Sequence, residues 1–336
     1  MLVGNFLSKT GIRSVCEDLA EHLSASGHSV FTTSRRKSRS FRFVDMTSTV
    51  WRQRHKYSVA LVDVYSGLAF LWAESVCWLL RRSRKPYILT MHGGKLPDFA
   101  RRSPKRVHRL LNSAAFVSTP SRYLLEQMSP YRCDLQLVPN PLNLGFYKFR
   151  LRTQPQAKLI WLRAFHEVYN PTQAPKVLAS LIADFPEIHL AMIGPDKGDG
   201  SLQRTQEEAG RLGVLNQISF VGSIPKSHVS EWINSGDIFL NTTSVDNTPV
   251  TILEAMACGL PVISTNAGGI PYLLENDYNA LLVPRDDPDA MAAAVRRVLT
   301  EPGLAAYLAR NARQKVEHFD WSIILPEWET LLARCV

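Results

Sequence analysis

Short apolar runs alternate with longer amphipathic stretches from one end of the chain to the other. Eight runs read as strands: residues 58–62, 87–90, 115–118, 159–162, 189–193, 238–240, 261–264 and 280–283. Most are apolar at successive positions, as in Leu159-Ile160-Trp161-Leu162, which is the pattern of strands covered on both faces of a parallel sheet. Between them lie stretches with helical periodicity, among them residues 12–26, 67–80 and 174–184. Strand–helix alternation over the whole length predicts an α/β fold, doubly wound.

Pro139-Asn140-Pro141-Leu142-Asn143 is turn chemistry, and residues 148–158 are polar without periodicity. A fresh strand begins at Leu159. The 336 residues therefore divide into a first domain over 1–150 and a second from 151.

Composition fits two buried cores: 45% of the residues are hydrophobic and 21% charged. Five dispersed cysteines argue against a disulfide framework and a zinc site, and suit a reducing cytoplasm. The apolar start Met1-Leu2-Val3 lacks the basic region of a signal peptide. The helical stretch 67–80 is too short to span a bilayer and carries Glu74, so it reads as a helix packed on a sheet. Charge is unevenly placed. Residues 1–150 hold 24 Lys/Arg against 9 Asp/Glu, and the remainder 15 against 21. The basic excess points to an anionic partner surface, with lipid and nucleic acid as candidates beside a merely solvated face.

The most informative stretch runs from Asp246 to Ile263. It follows a strand and opens a helix, with Pro249 suited to the first turn, Gly259 to the C-terminal cap, and Pro261 blocking continuation. A helix N-terminus after a strand's carboxyl end is where an α/β fold binds phosphate. The amides near Thr248, Val250 and Thr251 would face the anion. Asp246 precedes the helix and Glu254 lies inside it, so two carboxylates can meet different parts of one elongated ligand, each accepting hydroxyl hydrogen bonds.

This stretch resembles the signature of GT-B retaining glycosyltransferases of family 4 (group 1): an acid, seven residues, Glu254, then Ala255-Met256-Ala257-Cys258-Gly259-Leu260-Pro261-Val262. Asp246 stands where the family has Glu. The resemblance implies two Rossmann-like domains with an interdomain cleft, the nucleotide domain covering 151–320, and a last helix over 321–336 that crosses back onto the first. It implies that Asp246 contacts the donor sugar and Glu254 the nucleotide ribose, with Asn247, Thr248, Pro249, Val250 and Thr251 also at the donor. Companions come in family order. Arg163 matches the cation that neutralises the donor diphosphate, and Asn170, which follows it, is also implied at the donor. The usual Lys is replaced by Val168 or Tyr169. Gly194 matches a glycine turn of the nucleotide domain, and Gly11 is what remains of a Gly-rich loop in the first. His92, between a strand and Gly93-Gly94, occupies the position of a His near the donor sugar. His28 and His166 read as structural.

The expected activity is therefore transfer of a hexosyl unit from a nucleotide sugar to a hydroxyl of a glycan or lipid-linked acceptor, with retention, as in polysaccharide biosynthesis. No metal is expected, since Arg163 and the helix N-terminus offer the positive charge, and no cofactor is expected beyond the nucleotide-sugar co-substrate. The expected location is cytoplasmic, peripheral on the inner face of the membrane. A nucleotide-sugar epimerase on the same fold is a second enzyme class. A non-catalytic binder of anionic surfaces or nucleic acid is a third reading, although no nucleic-acid motif is present and no nucleic acid is expected as partner.

Overall fold

The computed structural model describes residues 1–7, 14–36 and 38–335. The chain forms two compact units, Met1–Pro141 with Trp321–Val336, and Leu142–Asp320.

The first unit's sheet contains β1 (Leu2–Val3), β2 (Thr32–Thr33), β3 (Ala60–Val64), β4 (Tyr87–Met91), β5 (Phe116–Thr119) and β6 (Gln136–Leu137). Their order is β2-β1-β3-β4-β5-β6, every pair parallel. Helices α2 (Arg39–Arg52), α3 (Leu68–Arg82), α4 (Leu96–Arg102), α5 (Pro104–Leu111) and α6 (Arg122–Met128) supply one core with Val62, Leu89 and Val117. The opposite core joins Leu61 and Ile88 to α1 (Val15–Ala25) and α14 (Trp321–Ala333) through Leu19, Leu23, Trp321, Ile324, Trp328 and Leu331. Alternate strand positions thus feed two layers, which is why the strands read as continuous apolar runs.

The second unit's sheet contains β7 (Lys158–Leu162), β8 (His189–Ile193), β9 (Ile218–Gly222), β10 (Ile238–Asn241), β11 (Val262–Thr265) and β12 (Leu281–Val283). The order is β12-β11-β10-β7-β8-β9, again all parallel. One face packs on α7 (Gln173–Ala179), α8 (Ser201–Arg211) and α12 (Pro288–Thr300). The other packs on α9 (Val229–Asn234), α10 (Val250–Cys258), α11 (Ile270–Leu273) and α13 (Leu304–Glu317).

Three details differ from the pattern-based reading. The helix after residue 170 stops at Ala179 instead of Asp184, because the next amides fold into tighter turns, Leu181 N to Leu178 O and Asp184 N to Leu181 O. Helix α1 begins at Val15, after Ser14, whose amide donates to Glu17 Oε2 at 3.0 Å. The polar segment 148–158 belongs to the second unit's body. Arg152 is buried there and donates to Asn234 Oδ1 and Gly236 O, both at 3.0 Å, and to Cys258 O. Asp237 accepts from Arg150 and from Gln156 N.

Candidate functional site

Strands β7 and β10 are neighbours in the second sheet, and from them the order runs outward in opposite directions. Such a switch point opens a crevice at the strands' carboxyl ends, where α/β sheets take their ligands. Arg163 leaves β7 here, and the segment Thr242–Pro249 leaves β10. The two exits are sewn together. Ser244 N donates to Val168 O at 2.9 Å, Thr242 Oγ1 to Tyr169 O at 2.7 Å, and the buried Trp161 Nε1 to Thr242 Oγ1 at 2.9 Å. Leaving a buried indole N–H unmatched would cost about 1–3 kcal/mol, so Thr242 fixes the loop to the core.

Close backbone approach explains the glycines. Gly194 ends β8 at φ +148, and a Cβ there would collide with the Arg163 carbonyl. At Gly268 and Gly269 a Cβ would strike the backbone of Asp246 and Asn247, and Gly269 N donates to Asp246 O at 2.7 Å. These glycines let two turns press directly on the segments that carry Arg163 and Asp246.

The Arg163 guanidinium is ion-paired with the Asp246 carboxylate and lies over the Tyr169 ring, 4.1 Å from its centroid. Burial pulls the guanidinium below its ordinary range, opposed by Tyr169 and Glu254. Besides Asp246 Oδ2, which is held in the ion pair, Arg163 Nε and Thr251 Oγ1 are buried here without hydrogen-bond partners. Donors left open in this way are what an anionic ligand would satisfy.

Helix α10 starts one residue later than the sequence suggests. Pro249 is the N-cap, extended at φ −67 and ψ 115, and the helix Val250–Cys258 is capped by Gly259 in the left-handed region at φ 78. Asn247 and Thr248 are buried ahead of it, with Asn247 N donating to Asp246 Oδ1 at 2.7 Å. Glu254 is buried on α10, where its Oε1 accepts from Tyr147 Oη at 2.8 Å and pairs with Lys226. Sequence reasoning singled out neither partner. Tyr147 stands at the edge of the polar stretch read as a boundary. Lys226 follows the turn Ser223-Ile224-Pro225 after β9, a basic residue one turn beyond a strand end, and that position was its only signal.

Arg163, Gly194, Asp246, Asn247, Thr248, Pro249, Val250, Thr251 and Glu254 therefore all belong to the second unit's carboxyl-end face. Asn170 sits in the same loop in the left-handed region, but its amide donates to Asp286 Oδ1 at 2.8 Å and to Gln173 Oε1 at 3.1 Å, so it closes the loop. Gly11 lies outside the described residues. His92 belongs to the first unit, immediately after β4. Its Nε2 lies 3.0 Å from Asp63 Oδ1 on β3, and its ring stacks on Tyr65 at 5.0 Å. A carboxylate there accepts, so His92 donates through Nε2. The cavity beside Asp63 and Tyr65, about 20 Å³, marks the first sheet's own switch point between β1 and β3. Among the described residues no three His, Cys, Asp or Glu side chains gather as a metal site.

Residues 147–315 match the profile of the family described as glycosyl transferases group 1. The chain belongs to this family. A D-inositol 3-phosphate glycosyltransferase from Streptomyces bingchenggensis is 27% identical over 162 residues, 45% of this chain and 36% of that protein. The match thus spans little more than a third of that relative's length, and it falls short of the whole enzyme. Among solved structures, a sucrose-phosphate synthase from Thermosynechococcus elongatus superposes with a TM-score of 0.80 at 18% identity, covering 99% of this chain and 98% of that one. Anabaena HepE, solved in complex with UDP, gives 0.76 at 18% identity over 96% and 90%. At these identities the likeness is one of fold, and it establishes the GT-B class of two Rossmann-like units. The group 1 profile covers the whole switch-point site from Tyr147 to Glu254.

Proposed function

We propose that this group 1 family member is a retaining glycosyltransferase, moving a hexosyl unit from a nucleotide sugar to a hydroxyl of a glycan or lipid-linked acceptor. The observation that carries the reading is the Arg163–Asp246 pair at the second sheet's switch point, with Arg163 Nε and Thr251 Oγ1 still open beside the start of α10. In this reading Arg163 and the amides at Thr248, Val250 and Thr251 hold the diphosphate, Glu254 takes the ribose hydroxyls, and Asp246 takes a hydroxyl of the sugar. Gly194, Asn247 and Pro249 shape the donor site. His92 hydrogen-bonds the donor sugar.

Retention calls for a covalent intermediate or for same-face attack assisted by the leaving phosphate. A covalent route needs a free carboxylate nucleophile, and Asp246 is committed to Arg163. Same-face attack therefore fits better, with a diphosphate oxygen taking the acceptor proton while Arg163 and the α10 N-terminus stabilise the charge left behind. The reading needs no metal. It places the protein in polysaccharide biosynthesis, in the cytoplasm, peripheral on the inner face of the membrane.

A thermal-shift panel of nucleotides and nucleotide sugars tests the binding, since a ligand of the folded state raises its stability. NMR of the product from a labelled donor, with and without EDTA, tests the reaction. An inverted anomer, loss of activity in EDTA, or an epimerised donor in place of a transferred sugar would overturn it.

A further inference from the structure

Six of the large exposed hydrophobic side chains stand on two helices of the first unit. They are Phe41, Val44 and Trp51 on α2, and Leu68, Leu71 and Trp78 on α3. Phe41 is 70% exposed and Leu68 68%. The spacing is the same on both helices. Phe41, Val44, Ser48 and Trp51 step by three, four and three residues, and so do Leu68, Leu71, Ser75 and Trp78. That step keeps each set on one face of its helix. Helices α2 and α3 pack side by side. Their opposite faces are already used, since Met46, Val50, Phe70, Ala73, Val76 and Cys77 fill the core beneath. The outer stripes are thus a second apolar face that the fold does not require.

The charge around the stripes is of one sign. The two helices carry five arginines against two acids, Asp45 and Glu74. Both acids are engaged, Asp45 with Thr33 Oγ1 at 3.3 Å and Glu74 with Arg106. Arg39 and Arg52 stand exposed at the two ends of α2, and Arg81 and Arg82 at the end of α3.

We infer that the α2–α3 face is a docking surface for an anionic lipid bilayer, with the apolar stripes entering the headgroup–acyl boundary and the arginines meeting lipid phosphates. The inference rests on the peripheral location proposed above and names the surface that produces it. Apolar stripes rimmed by arginine match an interface of hydrocarbon beneath anionic headgroups, and tryptophan favours that depth. A nucleic acid would leave six large apolar side chains without a partner. A second copy meeting the same face about a two-fold axis would bring arginines against arginines. Among the described residues no helix is long and apolar enough to cross a membrane, so this face would lie on the bilayer and not span it.

The test is flotation of the full chain with phosphatidylcholine vesicles and with phosphatidylcholine–phosphatidylglycerol vesicles. Two variants probe the face, Leu71→Ser with Trp78→Ser, and Arg39→Glu with Arg82→Glu. Leu215→Ser with Tyr307→Ser, exposed positions of the second unit, is the control. Wild type and control should bind the anionic vesicles alone, and each face variant should lose about tenfold or more in partition at an unchanged melting temperature. If the serine variant binds like wild type while the glutamate variant does not, the stripe inference falls and the peripheral location stands. If wild type binds no vesicle, both fall. If the chain is a dimer that the serine pair makes monomeric, the face belongs to a second copy. Nucleotide binding, measured in parallel, belongs to the other unit and reports on the glycosyltransferase reading separately.

Discussion

Lys226 is ion-paired with Glu254, a carboxylate that shows 2% of its surface to solvent. Tyr147 donates to the same oxygen, Oε1. Burying a carboxylate is costly unless donors surround it, and these two supply the compensation. Glu254→Gln keeps the volume and removes the charge. It is expected to weaken nucleoside diphosphate binding by at least about 1.4 kcal/mol, a factor of ten. Titration calorimetry checks this, and an unchanged affinity would remove Glu254 from the ligand. Tyr147→Phe should cost about 1–2 kcal/mol of stability by deleting a hydrogen bond to a buried charge.

Arg163 is expected to be the principal cation on the diphosphate. Arg163→Ala should reduce nucleotide affinity more than alanine at any other Lys or Arg between residues 151 and 336. Lys226 is the sharpest rival because it reaches the same helix. If Lys226→Ala proves the more damaging, the cation that the family usually places near position 168 is supplied from the loop after β9. Arg163→Lys should not restore affinity, because an ammonium lacks the planar fork that stacks on Tyr169 while bonding to Asp246.

Gly194→Ala tests the strand-end architecture. The new methyl would meet the Arg163 carbonyl, so the β8 turn must move or Arg163 must. A stability loss of about 2 kcal/mol or more is expected in thermal melts, accompanied by weaker nucleotide binding. Full stability with full affinity would show that the two turns can separate.

His92→Ala and Asp246→Asn are each expected to lower kcat strongly without loss of nucleotide affinity, the pattern of groups that act on the sugar. Asp63→Asn should do the same more mildly, because Asp63 holds His92 through Nε2 and acts as a positioning residue. If so, the double variant Asp63→Asn with His92→Ala will be no slower than His92→Ala alone. Additive losses would separate the two residues. Trapping a glycosyl adduct on Asp246 by mass spectrometry would sink the same-face mechanism.

Continuous apolar runs made the long central strands of both sheets legible, because burial on two faces leaves no polar positions to confuse the period. Strands β1, β2 and β6 have two residues each, too few to show any period. The helix carrying Glu254 was legible from its ends, Pro249 and Gly259, since both residues restrict the backbone locally. Lys226 and Tyr147 were not, because a partner brought 28 or 107 residues along the chain leaves no trace in spacing. Arg150 and Arg152 were hidden for a related reason. Arginine in an aperiodic stretch reads as solvated, and only the fold reveals the carbonyls of Cys258 and Gly236 that Arg152 satisfies. The basic excess of residues 1–150 was plain in the sequence, whereas the matched apolar stripes of α2 and α3 needed the packing to show which faces were already filled.

The first unit's membership, Met1–Pro141 with Trp321–Val336, sets an order of events during synthesis. A ribosome that has delivered residue 141 has released every strand of the first sheet, but not Trp321, Ile324, Trp328 or Leu331, which complete the layer over Leu61 and Ile88. The second unit is contiguous and can close as soon as Asp320 emerges. The first unit must therefore wait, with that side of its sheet covered by α1 but not by α14, until the residues of α14 have been made. A truncation that removes α14 leaves α1 alone over that side of a sheet whose strands all lie before Pro141.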